Sequence, residues 1–401
     1  MKRDPRILGY VMARNEWPLL GAAIIHALSI GVDSVVVLDH GSNDGSSIHL
    51  KGIQDAFPNR VRVLRLNDQE FFQEATTSVV GQLHGAHEFD WIYVFDADEF
   101  LLVDKQTQLK EILKGIPSHI SAIRYPNQQW VAPHDLVESK MDDYFKICQR
   151  SIPNLFIDLP GDLIADEIEH GNLNYFDIPF PTKVMVRGHL SNTLSAGAHI
   201  SRNSNSVNEV EIDSRLLRLA HLPFRSYRAL ERKAEQGKAL IDAGFPFGHG
   251  WQSQLIYKLQ KKSDLEEFWR AHSSSKNYAS KEIGMYSSFS SEEDWEFAEV
   301  LRKAFHKLEE IQSAIDLDVT LQGQINVIEE STLPMSVSVK LVHDLIVERN
   351  ELTQQRDELT QQRDELTQQR DELTQQRDEL LNSTIWKATK PIRWFVDLIK
   401  P

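Results

Sequence analysis

The residues of this sequence best suited to chemistry are two aspartates that flank one small residue, Asp96-Ala97-Asp98. Carboxylate oxygens are the ligands that hard divalent cations such as Mg²⁺ prefer. A cation held in this way neutralises the charge that develops on a phosphate leaving group. Because alternate residues of an extended segment point to the same side, both carboxylates are expected to face one ligand. Asp96 and Asp98 are therefore candidate metal ligands.

The surroundings of this tripeptide decide between a metal site and a solvated turn, since isolated D-x-D tripeptides are common. The run Trp91-Ile92-Tyr93-Val94-Phe95 precedes it and has the continuous apolar character of a buried strand. Phe100-Leu101-Leu102 follows it. Burying carboxylate oxygens between two apolar segments costs free energy unless they bind a cation or accept hydrogen bonds. The context therefore favours a site.

Strand and helix patterns alternate along the N-terminal part of the chain. Apolar runs predict strands at 6–13, 34–38, 61–66 and 91–95, and apolar residues at helical spacing predict helices at 18–30, 46–57 and 70–84. This alternation predicts an α/β fold, an open and mostly parallel sheet with flanking helices.

Polar residues stand at the carboxyl ends of these predicted strands. The first strand ends in Ala13-Arg14-Asn15-Glu16, the second in Asp39 and the fourth in Asp96-Ala97-Asp98. Ligands of open α/β sheets bind beyond such ends, at the point where the strand order reverses. If the first and fourth strands are neighbours, all three groups face one crevice.

Composition narrows the class of protein. The chain has 401 residues, 41% of them hydrophobic, which is enough for one or two sizeable cores. A formal net charge of -15 argues against broad nucleic-acid binding. The single cysteine, Cys148, cannot form an internal disulfide, and no apolar run approaches the roughly 20 residues that span a bilayer. We therefore expect a soluble, cytoplasmic enzyme.

Residues 7 to 103 resemble the nucleotide-binding half of bacterial family 2 glycosyltransferases, in the branch that carries a D-x-D-E-F motif. The stretches that carry this resemblance are Arg14-Asn15-Glu16, His26 before Gly31-Val32-Asp33, Leu38 to Gly45 and Trp91 to Leu101, in the order that the branch uses. The resemblance implies a GT-A fold and inverting transfer of a sugar from a nucleotide-sugar donor, such as a UDP-sugar, to an acceptor hydroxyl. It also implies a Mn²⁺ or Mg²⁺ ion.

The resemblance further implies roles for individual residues. Asp39 would contact the base, Asp96 the ribose or the metal, and Asp98 the metal, while Glu16 would lie beside the nucleotide with Ala13 and Arg14. Plainer interpretations stay open for some neighbours: Asn15 and Asp44 are also suited to cap the helices that follow them, and we interpret His26 as structural.

A second group of motifs lies between residues 183 and 237 and resembles the family less closely. Lys183 to Arg187 reads as a strand, Gly197-Ala198-His199 as a G-x-H element, and the stretch from His221 to Ser226 as an H-x-P-x-R-S segment. A neutral imidazole of His199 or His221 could complete the metal site, although any one of 15 histidines can equally be a packed residue. Arg225 and Lys233, eight residues apart on one predicted helix, could neutralise a diphosphate.

The catalytic base is not selected by the sequence. The carboxylates considered for it are Asp135, Asp162, Asp166, Glu167 and Asp213. The stretch 152–181 matches no pattern of the family and is predicted to face the acceptor, which would be a glycan, a lipid-linked sugar or a protein in the assembly of surface polysaccharide or glycoconjugate.

The chain is predicted to divide into a glycosyltransferase domain at 1–237, with halves at 1–103 and 104–237, a helical subdomain and connector at 238–335, a heptad-repeat helix at 336–381 and a tail at 382–401. Within the subdomain, apolar residues at three- and four-residue spacing predict helices at 255–272 and 292–315, and the stretch 316–338 is predicted to be a connector. In the heptad segment, leucines recur every seven residues at Leu352, Leu359, Leu366, Leu373 and Leu380. Because each heptad holds one apolar residue, both a weak coiled coil over 339–381 and a solvated helix stay open.

The C-terminal tail differs in charge from the acidic body of the chain. Residues 384–401 interleave basic side chains with aromatic and aliphatic ones, and Ile392, Phe395, Val396 and Ile399 form one helical stripe. Such a helix can lie at the inner face of a membrane or dock onto its own domain.

Two other functions compete with sugar transfer. A nucleotidyltransferase would share the fold and the metal, but Ala13-Arg14-Asn15-Glu16 is not the Gly-rich basic loop expected for it. A catalytically silent scaffold would bind the nucleotide sugar and act through its coiled coil and tail.

Overall fold

The structure is a computed structural model that describes residues 3–65, 88–146, 149–151, 161–178, 180–188, 208–242, 244, 250–273, 289–293 and 295–322, with short helical pieces between 362 and 387. The chain divides into two compact units, residues 1–340 and 341–401. The predicted helix at 70–84, Cys148 and the His199 motif lie outside the described residues.

Twelve strands and nine α-helices are described in the first unit, counted over those ranges. The strands are β1 (Ile7–Ala13), β2 (Ser34–Asp39), β3 (Val61–Arg65), β4 (Trp91–Val94), β5 (Glu99–Val103), β6 (Ala122–Tyr125), β7 (Asn127–Val131), β8 (Gln149–Ser151), β9 (Lys183–Arg187), β10 (Glu209–Glu211), β11 (Leu217–His221) and β12 (Phe289–Glu293). The helices are α1 (Leu19–Ser29), α2 (Ser46–Ala56), α3 (Leu109–Gly115), α4 (Met141–Tyr144), α5 (Gly161–Glu169), α6 (Tyr227–Asp242), α7 (Trp251–Lys262), α8 (Leu265–Ala271) and α9 (Trp295–Gln322).

Seven strands form the first sheet in the order β10-β6-β9-β4-β1-β2-β3. The pairs β1-β2, β2-β3, β1-β4 and β6-β10 are parallel, and only β9 runs antiparallel to its two neighbours. Strands β1, β2 and β4 are almost wholly buried, as expected for apolar runs covered on both faces. The predicted α/β class, with an open, mostly parallel sheet flanked by helices, is confirmed.

A second sheet of five strands has the order β12-β8-β7-β11-β5. Its strand β5 follows β4 after one tight turn and pairs antiparallel with β11, so the chain passes directly from the first sheet to the second. Strand β11 also pairs in parallel with β7. This sheet holds the segments that follow β7 and β11 against the edge of the first sheet where β4 ends.

The helices cover the first sheet and extend its core. Ten of the eleven residues of α1 are buried, and α1 packs against α9. Helices α6 and α7 cross so closely that a Cβ built on Gly237 would lie 2.0 Å from the carbonyl oxygen of Ser253, so glycine is required there.

Two helical predictions in this region need correction. The stretch 255–272 forms two helices, because Ser263 has a φ of +67° and ends α7 before α8 begins. The predicted helix at 292–315 begins only at Trp295, since β12 continues to Glu293, and it extends to Gln322 into the predicted connector at 316–338.

In the second unit, the described pieces of the heptad segment are helical, and Leu366 and Leu373 are each 65% exposed. The tail lies outside the described residues except for Lys387. No described helix combines the length and the apolar character that crossing a bilayer requires.

Candidate active site

The strand neighbours on which the predicted crevice depends are observed. Strand β1 lies between β2 and β4 and runs parallel to both. The chain adds β2 and β3 on one side of β1 and then places β4 on its other side, so the strand order reverses between β1 and β4. The segments after β1, β2 and β4 therefore lie at one edge of the sheet. This is the point at which open α/β sheets bind their ligands.

The Asp96-Ala97-Asp98 segment is a turn, which corrects the prediction that it is extended. The backbone N–H of Glu99 donates to the carbonyl of Asp96 at 3.1 Å. The chain turns here because β4 ends at Val94 and β5 must start in the other sheet at Glu99. As a consequence, the carboxylates of Asp96 and Asp98 contact different partners.

Asp98 faces His221. The Oδ2 atom of Asp98 lies 3.6 Å from Nε2 of His221, and both side chains are 14% exposed. The backbone N–H of Leu222 donates to the carbonyl of Asp98 at 3.0 Å, which fixes the start of the H-x-P segment against the turn. Burial alone would raise the pKa of Asp98, but His221 and the more distant cations Lys233 and Arg225 hold that pKa well below its usual range. Asp98 is thus an ionised carboxylate beside an imidazole.

Asp96 shares a buried lysine with Glu99. The Nζ atom of Lys183 lies 3.2 Å from Oδ2 of Asp96 and 2.8 Å from Oε1 of Glu99, and the lysine side chain is 6% exposed. Burial alone would lower the pKa of Lys183, but the two carboxylates raise it above its ordinary value. Lys183 therefore stays charged and holds the turn in place, while Asp96 remains 36% exposed at the crevice.

Glu16 is linked to the loop that follows β11. The guanidinium of Arg225 donates to Glu16 through Nη2 and, at 3.2 Å, to Oε2 of Glu138 through Nε. Arg232 donates to the same Glu138 oxygen at 2.5 Å, and Ser226 donates to its other oxygen. Burial would raise the pKa of Glu138, but the two arginines and Ser226 lower it.

Arg225 and Lys233 are not on one helix, contrary to the sequence prediction. Helix α6 begins at Tyr227, since Ser226 accepts a hydrogen bond from the backbone N–H of Ala229 at 2.9 Å and acts as its N-cap. Arg225 therefore lies in the preceding loop. Lys233, on the helix, donates to the carbonyl of Pro223 at 3.1 Å and lies 5.6 Å from the ring centre of Phe224.

The loops after β1 and β2 are joined to each other. Asn15, which has a φ of +58°, exchanges two hydrogen bonds with Asn43, and its own N–H donates to Ser42. It does not cap α1, for which no side-chain cap is observed. Asp39 is fully buried and accepts hydrogen bonds from the N–H of Ser42 and the hydroxyl of Ser47.

The remaining candidates lie as follows. Asp44 accepts hydrogen bonds from Ser46, the first residue of α2, but the N-cap position of that helix is Gly45. Arg14 is exposed beside the crevice, and Ala13 is buried at the end of β1. His26 is buried, and its Nε2 lies 2.8 Å from the carbonyl of Leu101, which agrees with a structural role.

Three of the carboxylates considered for the base lie at the surface. Asp166 lies 3.7 Å from Lys258, Asp213 pairs with Arg215, and Asp135 is exposed. Among the described hydrogen bonds and ion pairs, none joins these three to the turn at Asp96–Asp98. The side chain of Asp162 lies outside the described residues.

A divalent cation is compatible with Asp98 and His221. Two ligands about 2.1 Å from one cation lie at most about 4.2 Å apart, which the 3.6 Å separation satisfies. The Nδ1 atom of His221 is buried and makes no hydrogen bond to a described residue, so the described residues alone do not satisfy this side chain. Within the described ranges no group of three or more His, Cys, Asp or Glu side chains gathers around one point. This suits Mg²⁺ or Mn²⁺, which are commonly bound by one or two carboxylates together with water and substrate phosphates.

Sequence reasoning did not identify Glu138, Glu99 or Arg232 as members of this cluster. Glu138 lies in the loop after β7, and only the parallel pairing of β7 with β11 brings it to Arg225. Glu99 is the glutamate of the D-x-D-E-F motif, so the motif itself could have identified Glu99 as a residue of the site.

No protein-family model matches the chain, and no curated protein matches it. Among solved structures, it is similar to S. aureus TarS at 13% identity and a TM-score of 0.32, over 62% of this chain and 42% of TarS, so the chain spans less than half of that protein. It is similar to a putative glucose-1-phosphate thymidylyltransferase from Bacillus anthracis, at 8% identity and a TM-score of 0.31 over 56% and 93% of the two chains.

The chain is also similar to glucosyl-3-phosphoglycerate synthase from Mycobacterium tuberculosis in complex with Mn²⁺, UDP and glucosyl-3-phosphoglycerate, at 15% identity and a TM-score of 0.29 over 60% and 81% of the two chains. These TM-scores are low, so the function proposed for the chain has to rest on the geometry of the crevice.

Proposed function

We propose that this chain is a glycosyltransferase of the GT-A type that moves a sugar from a nucleotide-sugar donor, a UDP-sugar in the simplest case, to an acceptor hydroxyl with inversion. The observation that carries the proposal is the ionised carboxylate of Asp98, 3.6 Å from His221 at the carboxyl end of β4. It lies at the reversal point between β1 and β4, where a nucleotide is expected to bind.

Asp98 and His221 are the residues proposed to hold Mn²⁺ or Mg²⁺. When bound, the cation would neutralise the nucleoside diphosphate as it leaves the sugar. Arg225 and Lys233 contribute positive charge to the same region, since both stabilise the ionised form of Asp98. Their role is to attract and orient the diphosphate, for which fixed cations are well suited.

The nucleoside half of the donor is proposed to bind beside β1, β2 and the turn. The carboxylate of Asp96 is partly exposed and can accept a hydrogen bond from a ribose hydroxyl. Asp39 is proposed to shape the site of the base, because its hydrogen bond from the N–H of Ser42 holds the loop after β2 in place. Glu16, Ala13 and Arg14 would line the same wall of the crevice.

The acceptor is proposed to be a hydroxyl of a glycan, a lipid-linked sugar or a protein, in surface polysaccharide or glycoconjugate assembly. The candidates predicted for the base that receives its proton are Asp135, Asp162, Asp166 and Asp213. The paired carboxylate of Glu138 is unsuited to this task, because Arg225 and Arg232 lower its pKa and so weaken it as a base.

The second unit is proposed to join copies of the chain and to bring the enzyme to the membrane. The exposed Leu366 and Leu373 on described helical turns support weak self-association over 339–381. The basic, aromatic tail at 384–401 is proposed to contact the inner face of the membrane.

A panel of nucleotide sugars tests the activity, with Mn²⁺, Mg²⁺ or EDTA and detection of the released nucleoside diphosphate. We expect slow metal-dependent hydrolysis of at least one donor, which Asp98→Ala abolishes. Asp55→Asn, at an exposed aspartate that pairs with Lys51, serves as the matched control and keeps the activity. Release of pyrophosphate from a nucleoside triphosphate would instead identify a nucleotidyltransferase, and donor binding without turnover would identify a scaffold.

A further inference from the structure

Apart from Oε1 of Glu99, which is ion-paired with Lys183, two buried polar atoms near the turn lack a hydrogen bond to any described residue: Nδ1 of His221 and Oε1 of Gln129. Gln129 is 2% exposed. An unsatisfied buried polar atom costs roughly 1–3 kcal/mol, and native proteins retain few of them. Each of the two atoms therefore calls for a partner.

The two residues are neighbours in the second sheet. His221 on β11 is the register partner of Gln129 on the parallel strand β7. Register partners project from the same face of a sheet, and adjacent strands lie about 4.8 Å apart. The side chains of His221 and Gln129 therefore stand next to each other on one face of the sheet.

The free atom of Gln129 is an acceptor. Its amide nitrogen donates to Oδ1 of Asn127 at 2.9 Å, which directs the NH₂ group towards Asn127 and leaves the carbonyl oxygen available. An imidazole N–H is the donor that such an oxygen requires.

The other register partner of His221 is already engaged. Glu99 on β5 lies opposite His221. Its Oε1 contacts Lys183 at 2.8 Å, and its Oε2 accepts the backbone N–H of Asp96 at 3.1 Å. Gln129 is thus the better-placed acceptor for Nδ1.

We propose that Gln129 is a positioning residue that accepts a hydrogen bond from Nδ1–H of His221 and so holds the imidazole ring with Nε2 towards Asp98. The inference rests on the proposed function, because a cation at Asp98 would bind the ring through Nε2 and leave the proton on Nδ1. Metal-binding histidines commonly donate their other N–H to a carbonyl or carboxylate, which orients the ring and raises its affinity for the metal.

The first test measures Mn²⁺ binding to the full chain in the presence of UDP, by electron paramagnetic resonance titration. Gln129→Met is expected to raise the Kd for Mn²⁺ about 10- to 100-fold, and Gln129→Glu, which keeps an acceptor, is expected to stay much closer to the wild-type value.

Gln128→Met is the matched control for this titration. Gln128 is the next residue of β7, projects from the opposite face and also has a buried Oε1 without a hydrogen bond to a described residue. Its substitution is expected to leave the Kd unchanged. An equal loss in both methionine variants would show a general effect of strand packing and would overturn the proposal.

The second test reads this hydrogen bond directly, in the full chain saturated with Mg²⁺ and UDP. In protein labelled with ¹⁵N at histidine, with the His221 signals assigned by their loss in His221→Gln, we expect an Nδ1–H proton that exchanges slowly with water in wild type and rapidly in Gln129→Met. A rapidly exchanging Nδ1–H in wild type would reject the role of Gln129 and leave the proposed function intact. Absence of Mn²⁺ binding in the wild type would instead reject the proposed function and, with it, this inference.

Discussion

The Oδ2 atom of Asp98 and the Nε2 atom of His221 lie 3.6 Å apart, although one residue follows β4 and the other ends β11. The pairing of β11 with β5 produces this contact, because His221 and Glu99 are register partners and Asp98 immediately precedes Glu99. The second sheet thus brings a histidine to a carboxylate that the first sheet presents.

Asp98→Asn is expected to lower metal-dependent turnover at least about 100-fold, because the amide keeps the shape of the side chain but loses the charge that binds the cation. Release of UDP from a nucleotide sugar is the measurement, with the Mn²⁺ titration beside it. Activity close to wild type with normal metal dependence would mean that Asp98 is not a ligand.

Lys183→Met is expected to lower the free energy of unfolding by about 3–5 kcal/mol, since it leaves the buried carboxylate of Glu99 and the partly exposed carboxylate of Asp96 without their cation. Denaturant unfolding gives the value. Lys238→Met, in an exposed pair with Asp242, is the control and should change it by less than about 1 kcal/mol. A similar small change in Lys183→Met would contradict a structural role for this lysine.

Glu138→Gln is expected to weaken UDP binding about 10-fold, because the amide no longer holds the charged guanidinium groups of Arg225 and Arg232 in fixed orientations. Calorimetric titration of UDP in the presence of Mn²⁺ measures it. Glu266→Gln, in an exposed pair with Arg270, should leave the Kd unchanged. Unchanged affinity in Glu138→Gln would separate this ion-pair network from the donor site.

The free energy of unfolding should fall as the pH decreases, because two histidines are buried. Burial lowers the pKa of both His26 and His272 from 6.5 to about 4. The unfolded chain therefore binds protons between pH 6.5 and 4 that the folded chain does not. Each histidine leaves stability unaffected above pH 6.5 and removes roughly 2 kcal/mol by pH 5.

Unfolding free energies at pH 7 and pH 5 test this statement. The loss between the two values should be about 2 kcal/mol smaller in His26→Gln than in wild type. His306→Gln, at an exposed histidine, should lose as much stability as wild type does. An equal loss in His26→Gln and wild type would show that His26 does not contribute.

Weak self-association of the heptad segment predicts a concentration-dependent mass in solution. The double variant Leu366→Gln, Leu373→Gln removes two exposed leucines, so light scattering should show a smaller average mass at the same concentration. A monomeric wild type at all concentrations would favour the solvated helix instead.

The first sheet was predictable because its buried strands are continuous apolar runs, and β1, β2, β3 and β4 all lie within one residue of the predicted bounds. The second sheet was not predicted, since β7 contains Asn127, Gln128 and Gln129 and its pairing with β11 joins segments far apart in sequence. Local periodicity carries no information about such pairing.

The same limit explains the errors at the site. The prediction that Asp96 and Asp98 follow a strand was correct. The prediction that their carboxylates face one ligand was wrong, because the segment turns in order to connect two sheets. Arg225 was placed on a helix from its spacing to Lys233, although Ser226 is a residue type that commonly caps a helix. Glu138 gave no pattern that could be recognised.

Asn15 and Asn43 exchange two hydrogen bonds between the loops that follow β1 and β2. Two walls of the crevice are thereby fixed to each other before any ligand arrives. Most of the conformational entropy of these loops is lost during folding, so little of it remains to be lost when a donor binds. The crevice is therefore preorganised on its nucleoside side. The protein should distinguish donors there by how well the nucleoside fits this fixed shape, and not by rearranging its loops around each one.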